Sequence, residues 1–319
     1  MKDILLENKL KEYKKGDIIG LNSDVIFKAV FVRNKDVLLK MIKDLFSIDD
    51  SINPITIVGY ETVPSNKSGK TYRSDLLVIL SDKSYVLIEM NNSNGIESID
   101  RNLVQLVRIH GQVLKGGTDD MELRKYRLRG INFNNFRNET GKAIDTFAFC
   151  NIGTGKIVSF IYSFCNVDIE KCKELVYDID VQNLSKSVRW GAIMKEENIE
   201  ELSNILGEDM LSMEEKEEFL NTIKEVNDDE RILNDWVLEK LAETKVKDQI
   251  NYATSEGIRQ GIEKGIEQGI EQGREEGMED TKIELIKNML LNKLNYEVIS
   301  NISGKTIEEI KEIENSIKE

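Results

Sequence analysis

Two short apolar runs, Leu76–Leu80 and Tyr85–Met90, flank the turn-forming cluster Ser81-Asp82-Lys83-Ser84. Val, Ile and Leu occupy both faces of each run, which predicts a β-hairpin whose strands are central and covered on both sides. Upstream, Ser23 is placed to cap a helix beginning at Asp24, with Phe27, Val30 and Phe31 on its inner face. A second helix over about 36–46 carries Leu38, Ile42 and Leu45 at helical spacing, and Pro54–Val63 reads as a first strand. Downstream, a helix over about 97–115 gathers Leu103, Leu106, Val107, His110 and Leu114 on one face. Arg101, Gln105, Arg108 and Gln112 form a continuous polar face, turned either to a cleft or to solvent. Asp145–Asn151 and Lys156–Ser163, joined through Gly153-x-Gly155, read as two further strands. From Asp168 to about 250 the chain is helical and polar, with apolar positions too sparse for a second large core. Trp190 and Trp236 serve there as packing anchors.

The C-terminal part has a different pattern. Gly257, Gly261, Gly265, Gly269, Gly273 and Gly277 recur every four residues, with Ile258, Ile262, Ile266 and Ile270 one place behind the first four. A step of four advances about 400° around an α-helix, so each stripe drifts by about 40° per repeat and makes no straight seam. Each Gly costs up to about 1 kcal/mol against Ala in a helix. The ladder is therefore either disordered or a helix rescued by a partner that approaches over the glycines. The glutamates exclude bilayer burial, and self-association is the favoured outcome. The tail, 281–319, reads as helix, turn, helix, with a Thr306/Glu309 capping box and an acidic last helix that disfavours DNA reading.

The hairpin also carries chemistry. Asp75 opens its first strand and Glu89 lies in its second. Pairing centred near Asp82 sets the two opposite each other, with Cβ atoms about 5 Å apart. Glu89 and Asn91, two residues apart, leave the same face. Carboxylates that close repel, and burial sharpens the repulsion. Protonation, an intervening Lys or Arg, or a cation such as Mg²⁺ or Mn²⁺ relieves it. A structural ion pair of Glu89 with Arg73 or Lys70 is the competing reading, which the hairpin alone leaves open.

Composition narrows the classes. The chain has 319 residues, 40% of them hydrophobic, enough for one sizeable core and an appendage. No apolar run is long enough to cross a membrane, and the N-terminal stretch lacks a signal-peptide core. Cys150, Cys165 and Cys172 are too far apart for a disulfide framework or a zinc site, so a reducing cytoplasm is expected. One histidine, His110, leaves little material for Ser-His, Cys-His or His-rich metal chemistry, and its apolar neighbours mark it as packed. The net charge of −14 is uneven. Residues 192–280 hold roughly 26 acidic against 10 basic side chains, whereas residues 1–191 hold roughly 25 against 28. The N-terminal part is thus compatible with a phosphate-bearing partner, helped by a basic stretch over 101–142.

Taken in order, SDVIFKAVF (Ser23–Phe31), Asp75 at a strand start, Glu89-Met90-Asn91, the glycine-spaced repeats and the helical tail resemble the PD-(D/E)XK nuclease superfamily. The likeness is greatest to the Rpn group of recombination-promoting nucleases, also described as PD-(D/E)XK-type transposases. It covers nearly the whole chain, most firmly residues 23–115 and 255–319. The resemblance implies an α/β fold with a restriction-endonuclease-like αβββαβ core and a helical C-terminal extension. It implies a Mg²⁺-dependent DNA endonuclease, with Mn²⁺ as substitute. Asp75 and Glu89 would hold the metal, Asp24 would be an outer or additional ligand, and Arg101, Gln105 and Arg108 would contact DNA. One departure stands out: Asn91 occupies the place where the superfamily has lysine and the Rpn group often has glutamine. Asn can orient a water but brings no charge, which Lys28 or Lys70 is then expected to supply. A nuclease-fold protein that has lost turnover and acts in assembly or DNA association is the alternative, followed by a mobile-element accessory protein. The expected organisation is a nuclease-like domain over 1–165, an acidic helical region over 166–254, the glycine repeat over 255–280 and a small tail over 281–319. The C-terminal helical region is the expected site of homo-oligomer formation.

Overall fold

The computed structural model describes residue 14 and residues 16–48, 52, 54–58, 61–62, 72–73, 75–92, 96–113 and 126–318. The chain divides into two compact units, Met1–Leu241 and Ala242–Glu319.

In the first unit, helix α1 (Asp24–Arg33) starts where its cap requires: Ser23 Oγ accepts from the Ile26 N–H. Helix α2 (Lys35–Phe46) follows, and both bury their apolar stripes, including Phe27, Phe31, Leu38 and Ile42. The strands are β1 (Pro54–Val58), β2 (Glu61–Thr62), β3 (Tyr72–Arg73), β4 (Leu76–Leu80), β5 (Tyr85–Asn91), β6 (Leu128–Asn134), β7 (Ile144–Cys150) and β8 (Ile157–Asp168). Six of them form one sheet in the order β1-β4-β5-β6-β8-β7, and β2 and β3 pair separately. Helix α3 (Ile96–Val113) links β5 to β6 as a crossover between parallel strands.

The hairpin is central, as its two-sided apolar pattern predicts: β1 flanks β4, and β6 flanks β5. Lys83 adopts a left-handed φ of 63° in the turn, where Ser84 N–H donates to Asp82 Oδ1. One sheet face, with Val86, Ile88, Met90, Ile131 and Phe133, joins the main core beneath α1 and α2. The opposite face, with Leu77, Leu87, Leu128 and Phe164, packs on Leu106 and Ile109 of α3. Gly130 is required beneath that helix, because a Cβ there would lie 2.6 Å from the Phe164 ring.

The succession α1-α2, β1, β4, β5, α3, β6 is the αβββαβ core of a restriction-endonuclease-like α/β fold. Its last strand is Leu128–Asn134, not the Asp145–Asn151 run expected from the sequence, which instead forms the outer hairpin with β8. The run LRGINFN hides its strand because Arg, Gly and Asn alternate with its apolar residues. Helices α4 (Ile169–Asp178), α5 (Lys186–Met194), α6 (Ile199–Ile205) and α7 (Met213–Asp228) need no second core. Trp190, Ile193, Leu202 and Phe219 from them join the main one.

Helix α8 runs from Glu230 to Leu291, 62 residues. The glycine ladder is helical within it, and an added Cβ at any of its six glycines meets nothing within 4 Å. In the second unit, Ile286 of α8, Ile299 of α9 (Tyr296–Ser303) and Ile310 of α10 (Ile307–Lys318) form a small core of their own. Thr306 and Glu309 form the expected capping box: Thr306 N–H donates to Glu309 Oε2 and Glu309 N–H to Thr306 Oγ1.

Candidate active site

The antiparallel register Leu76↔Ile88, Leu77↔Leu87 places Asp75, one residue before β4, opposite Glu89. Both carboxylates are buried, Asp75 7% and Glu89 5% exposed. Asp75 is held from two sides. Its Oδ2 accepts from Met90 N–H at 2.7 Å, and its Oδ1 lies 3.0 Å from Lys28 Nζ. Glu89 is different, since its Oε1 is buried and has no hydrogen-bond partner. Burial, then the charge of Asp75, pushes its carboxyl up to about 8; Asp24 adds to the rise, while Arg101 and Lys28 oppose it.

The three parallel strands β5, β6 and β8 change character together along the α3 face. Tyr85, Leu128 and Tyr162 are in register, then Leu87, Gly130 and Phe164. Two residues further on come Glu89, Asn132 and Asn166, then Asn91, Asn134 and Asp168. All six of the latter are buried, and all but Glu89 have side chains hydrogen-bonded within the protein. Asn132 accepts from Asn102 of α3 at 2.8 Å and donates to Asn166 at 2.7 Å. Asn91 donates to Asn134 Oδ1 at 2.9 Å, and its own Oδ1 accepts from Arg101 Nη2 at 3.0 Å. Asp168 Oδ1 caps α4 through Lys171 N–H, and its Oδ2 accepts from Asn138 N–H. The polar ends of the strands thus form one bonded layer, at the carboxyl ends where open α/β sheets bind ligands.

A family model described as PD-(D/E)XK nuclease family transposase matches residues 21–253. The chain belongs to that family. No curated protein and no solved structure matches it. The PD-(D/E)XK family carries a nuclease- or transposase-related function, with DNA as substrate and divalent metals as its usual cofactors. Among the described residues, no helix is long and apolar enough to cross a membrane.

For a PD-(D/E)XK protein the donor set is of the right kind. An orphaned carboxylate oxygen on Glu89, beside a second carboxylate in register, suits a hard cation that keeps waters and phosphate as its other ligands. Among the described residues no group of three or more His, Cys, Asp or Glu side chains is arranged to hold a metal ion. The charge of Asp24 adds to the rise of Glu89. The Asp24 backbone N–H and the Ser23 hydroxyl both donate to Glu239 of α8, at 3.1 and 2.6 Å.

The remaining expected residues separate. Arg101 is exposed and reaches Asn91, and Arg108 is half-buried. Gln105 does not share an outward polar face with them: it is 1% exposed, and its Nε2 has no hydrogen-bond partner. The reason is angular. Four residues turn a helix about 40° past a full revolution, which rolls Gln105 from Arg101 toward the buried arc of Asn102, Leu106 and Ile109. Lys70 and the side chains of Arg73 and Gln112 lie outside the described residues. His110 packs edge-on against Tyr162 and bonds its hydroxyl, and burial lowers its pKa. Asn102, Asn132, Asn134 and Asn166 were not anticipated; alternation of Asn with Ile131 and Phe133 was the only signal for two of them.

Proposed function

We propose that the chain is a Mg²⁺-dependent DNA endonuclease of the recombination-promoting type, with Mn²⁺ as a substitute metal. The observation that carries this reading is Glu89, a buried carboxylate with one oxygen unpartnered, set in register with Asp75. Asp75 and Glu89 hold the metal, with Asp24 in its outer surroundings. Bound there, the metal lowers the pKa of a water and offsets charge on the phosphate. Lys28 balances the charge of Asp75, 3.0 Å away. Asn91, fixed at both ends of its carboxamide, keeps a lone pair on Oδ1 with which to orient a water. Arg101 and Arg108 meet the DNA backbone, whereas Gln105 lies buried on α3. The C-terminal helical region joins copies of the chain into a homo-oligomer. Three free cysteines fit a cytoplasmic setting.

Supercoiled plasmid incubated with Mg²⁺ or Mn²⁺ tests this directly. Wild type is expected to nick it, and Asp75→Ala and Glu89→Ala to lose at least about a hundredfold in rate. Equal rates for wild type and Asp75→Ala would sink the catalytic reading. Asn91 favours one second reading, a nuclease-fold protein that binds DNA or assembles without turnover. That reading gains if the plasmid stays intact while Mn²⁺ still binds wild type and not Glu89→Ala.

A further inference from the structure

The nuclease superfamily has a lysine where this chain has Asn91 and the Rpn group often has glutamine, and an amide brings no charge to that position. Lys28 is committed to Asp75, 3.0 Å away. Arg101 is placed differently. It rises from α3 and donates Nη2 to Asn91 Oδ1 at 3.0 Å and Nε to Asn102 Oδ1 at 3.4 Å. These bonds engage two of the five guanidinium N–H groups and leave three beyond them, on an exposed residue. Its charge is felt at the carboxylate pair, where it draws Glu89 down ahead of Lys28. A guanidinium so fixed presents its remaining N–H groups in the planar geometry that matches phosphate oxygens.

We propose that Arg101, held by Asn91, is the cation that replaces the missing lysine, binding the scissile phosphate of DNA. The role rests on the nuclease reading above. In that reaction the water oxygen bonds to phosphorus as the bond to the leaving sugar oxygen breaks. The water gives up its proton to solvent, and the leaving oxygen takes one up. Arg101 offsets the negative charge that builds on the phosphate oxygens meanwhile, and Asn91 positions it.

The test compares Arg101→Ala, Arg101→Lys and the double variant Arg101→Ala/Asn91→Lys. Single-turnover nicking of plasmid is one readout. The other is binding of a short DNA duplex in Ca²⁺, followed by fluorescence anisotropy over a range of KCl. Arg101→Ala should nick about a hundredfold slower, Arg101→Lys should fall between, and Asn91→Lys in the double variant should restore at least about tenfold. The slope of log Kd against log salt should drop by about one in Arg101→Ala. An unchanged nicking rate for Arg101→Ala overturns the proposal, and so does a lowered rate that Asn91→Lys fails to lift. If wild type itself nicks no faster than Asp75→Ala, the nuclease reading fails and the salt slope decides alone. An unchanged slope then overturns the phosphate contact, and a lowered one upholds it.

Discussion

At the residue scale, Glu89 makes the fold sensitive to pH. Its carboxyl is raised from 4.5 to about 8, first by burial and then by Asp75. Below about pH 4.5 the folded and unfolded chains both hold this proton. Between there and about 8 the unfolded chain releases it while the folded chain keeps it, so stability falls as pH rises through that window. Above about 8 the fold carries the whole penalty of a buried charge. Glu89→Gln has no proton to lose, so in metal-free buffer its melting temperature should climb relative to wild type from about pH 5 to 9. Scanning fluorimetry reads this, and a difference that stays flat removes the buried charge from the account. The Asp75–Glu89 pairing was legible because a four-residue turn sets the register and a period of two sets the face. The asparagine layer was not, because Asn in a short run reads as turn or loop. Within the basic stretch over 101–142, Arg129 is no surface charge: it is buried, bonds Ser84 and lies 4.0 Å from Asp82.

At the element scale, helices α1, α2 and α3 and the central hairpin followed their sequence patterns to within a residue or two. Strand β6 was lost because one of its faces is polar and buried, and a polar residue inside a sheet looks like a break in it. The glycines show how context sets the sign of one substitution. Gly130→Ala drives a methyl into the Phe164 ring and should destabilise the first unit by about 1–3 kcal/mol, seen as a lower denaturation midpoint. Ala at Gly261, Gly265 and Gly269 meets only open space, so each should favour helix by up to about 1 kcal/mol. Slower amide hydrogen exchange across residues 255–280 of the triple variant is the expected outcome, and unchanged exchange would show that helix propensity is not limiting there. The sequence left this segment open between disorder and a helix with a partner. It is helical, and Ile258, Ile262, Ile266 and Ile270 are exposed along it.

For the molecule as a whole, the acidity and the candidate chemistry occupy different lengths of chain. Roughly 26 of the 58 acidic side chains fall in residues 192–280, whereas the carboxylate pair and its cations lie before residue 110. A net charge of −14 is therefore no bar to a polyanionic substrate, and its sign alone does not decide function. Self-association is the whole-molecule property to measure. Light scattering on the full chain should give a multiple of 36.5 kDa, and a chain ending at Ser255 should give its own monomer mass. Equal monomer masses for both would remove the C-terminal helices as the assembly element. The in-register change from Tyr85, Leu87, Leu128 and Phe164 to Glu89, Asn132, Asn134 and Asn166 also foretells how the protein tolerates sequence drift. Substitutions at the greasy end of these three strands should be purged as misfolded chains, whereas those at the wet end can leave a folded molecule with altered chemistry. New activities in this lineage would therefore arise along a single border, a few ångströms wide, where the sheet stops being oil.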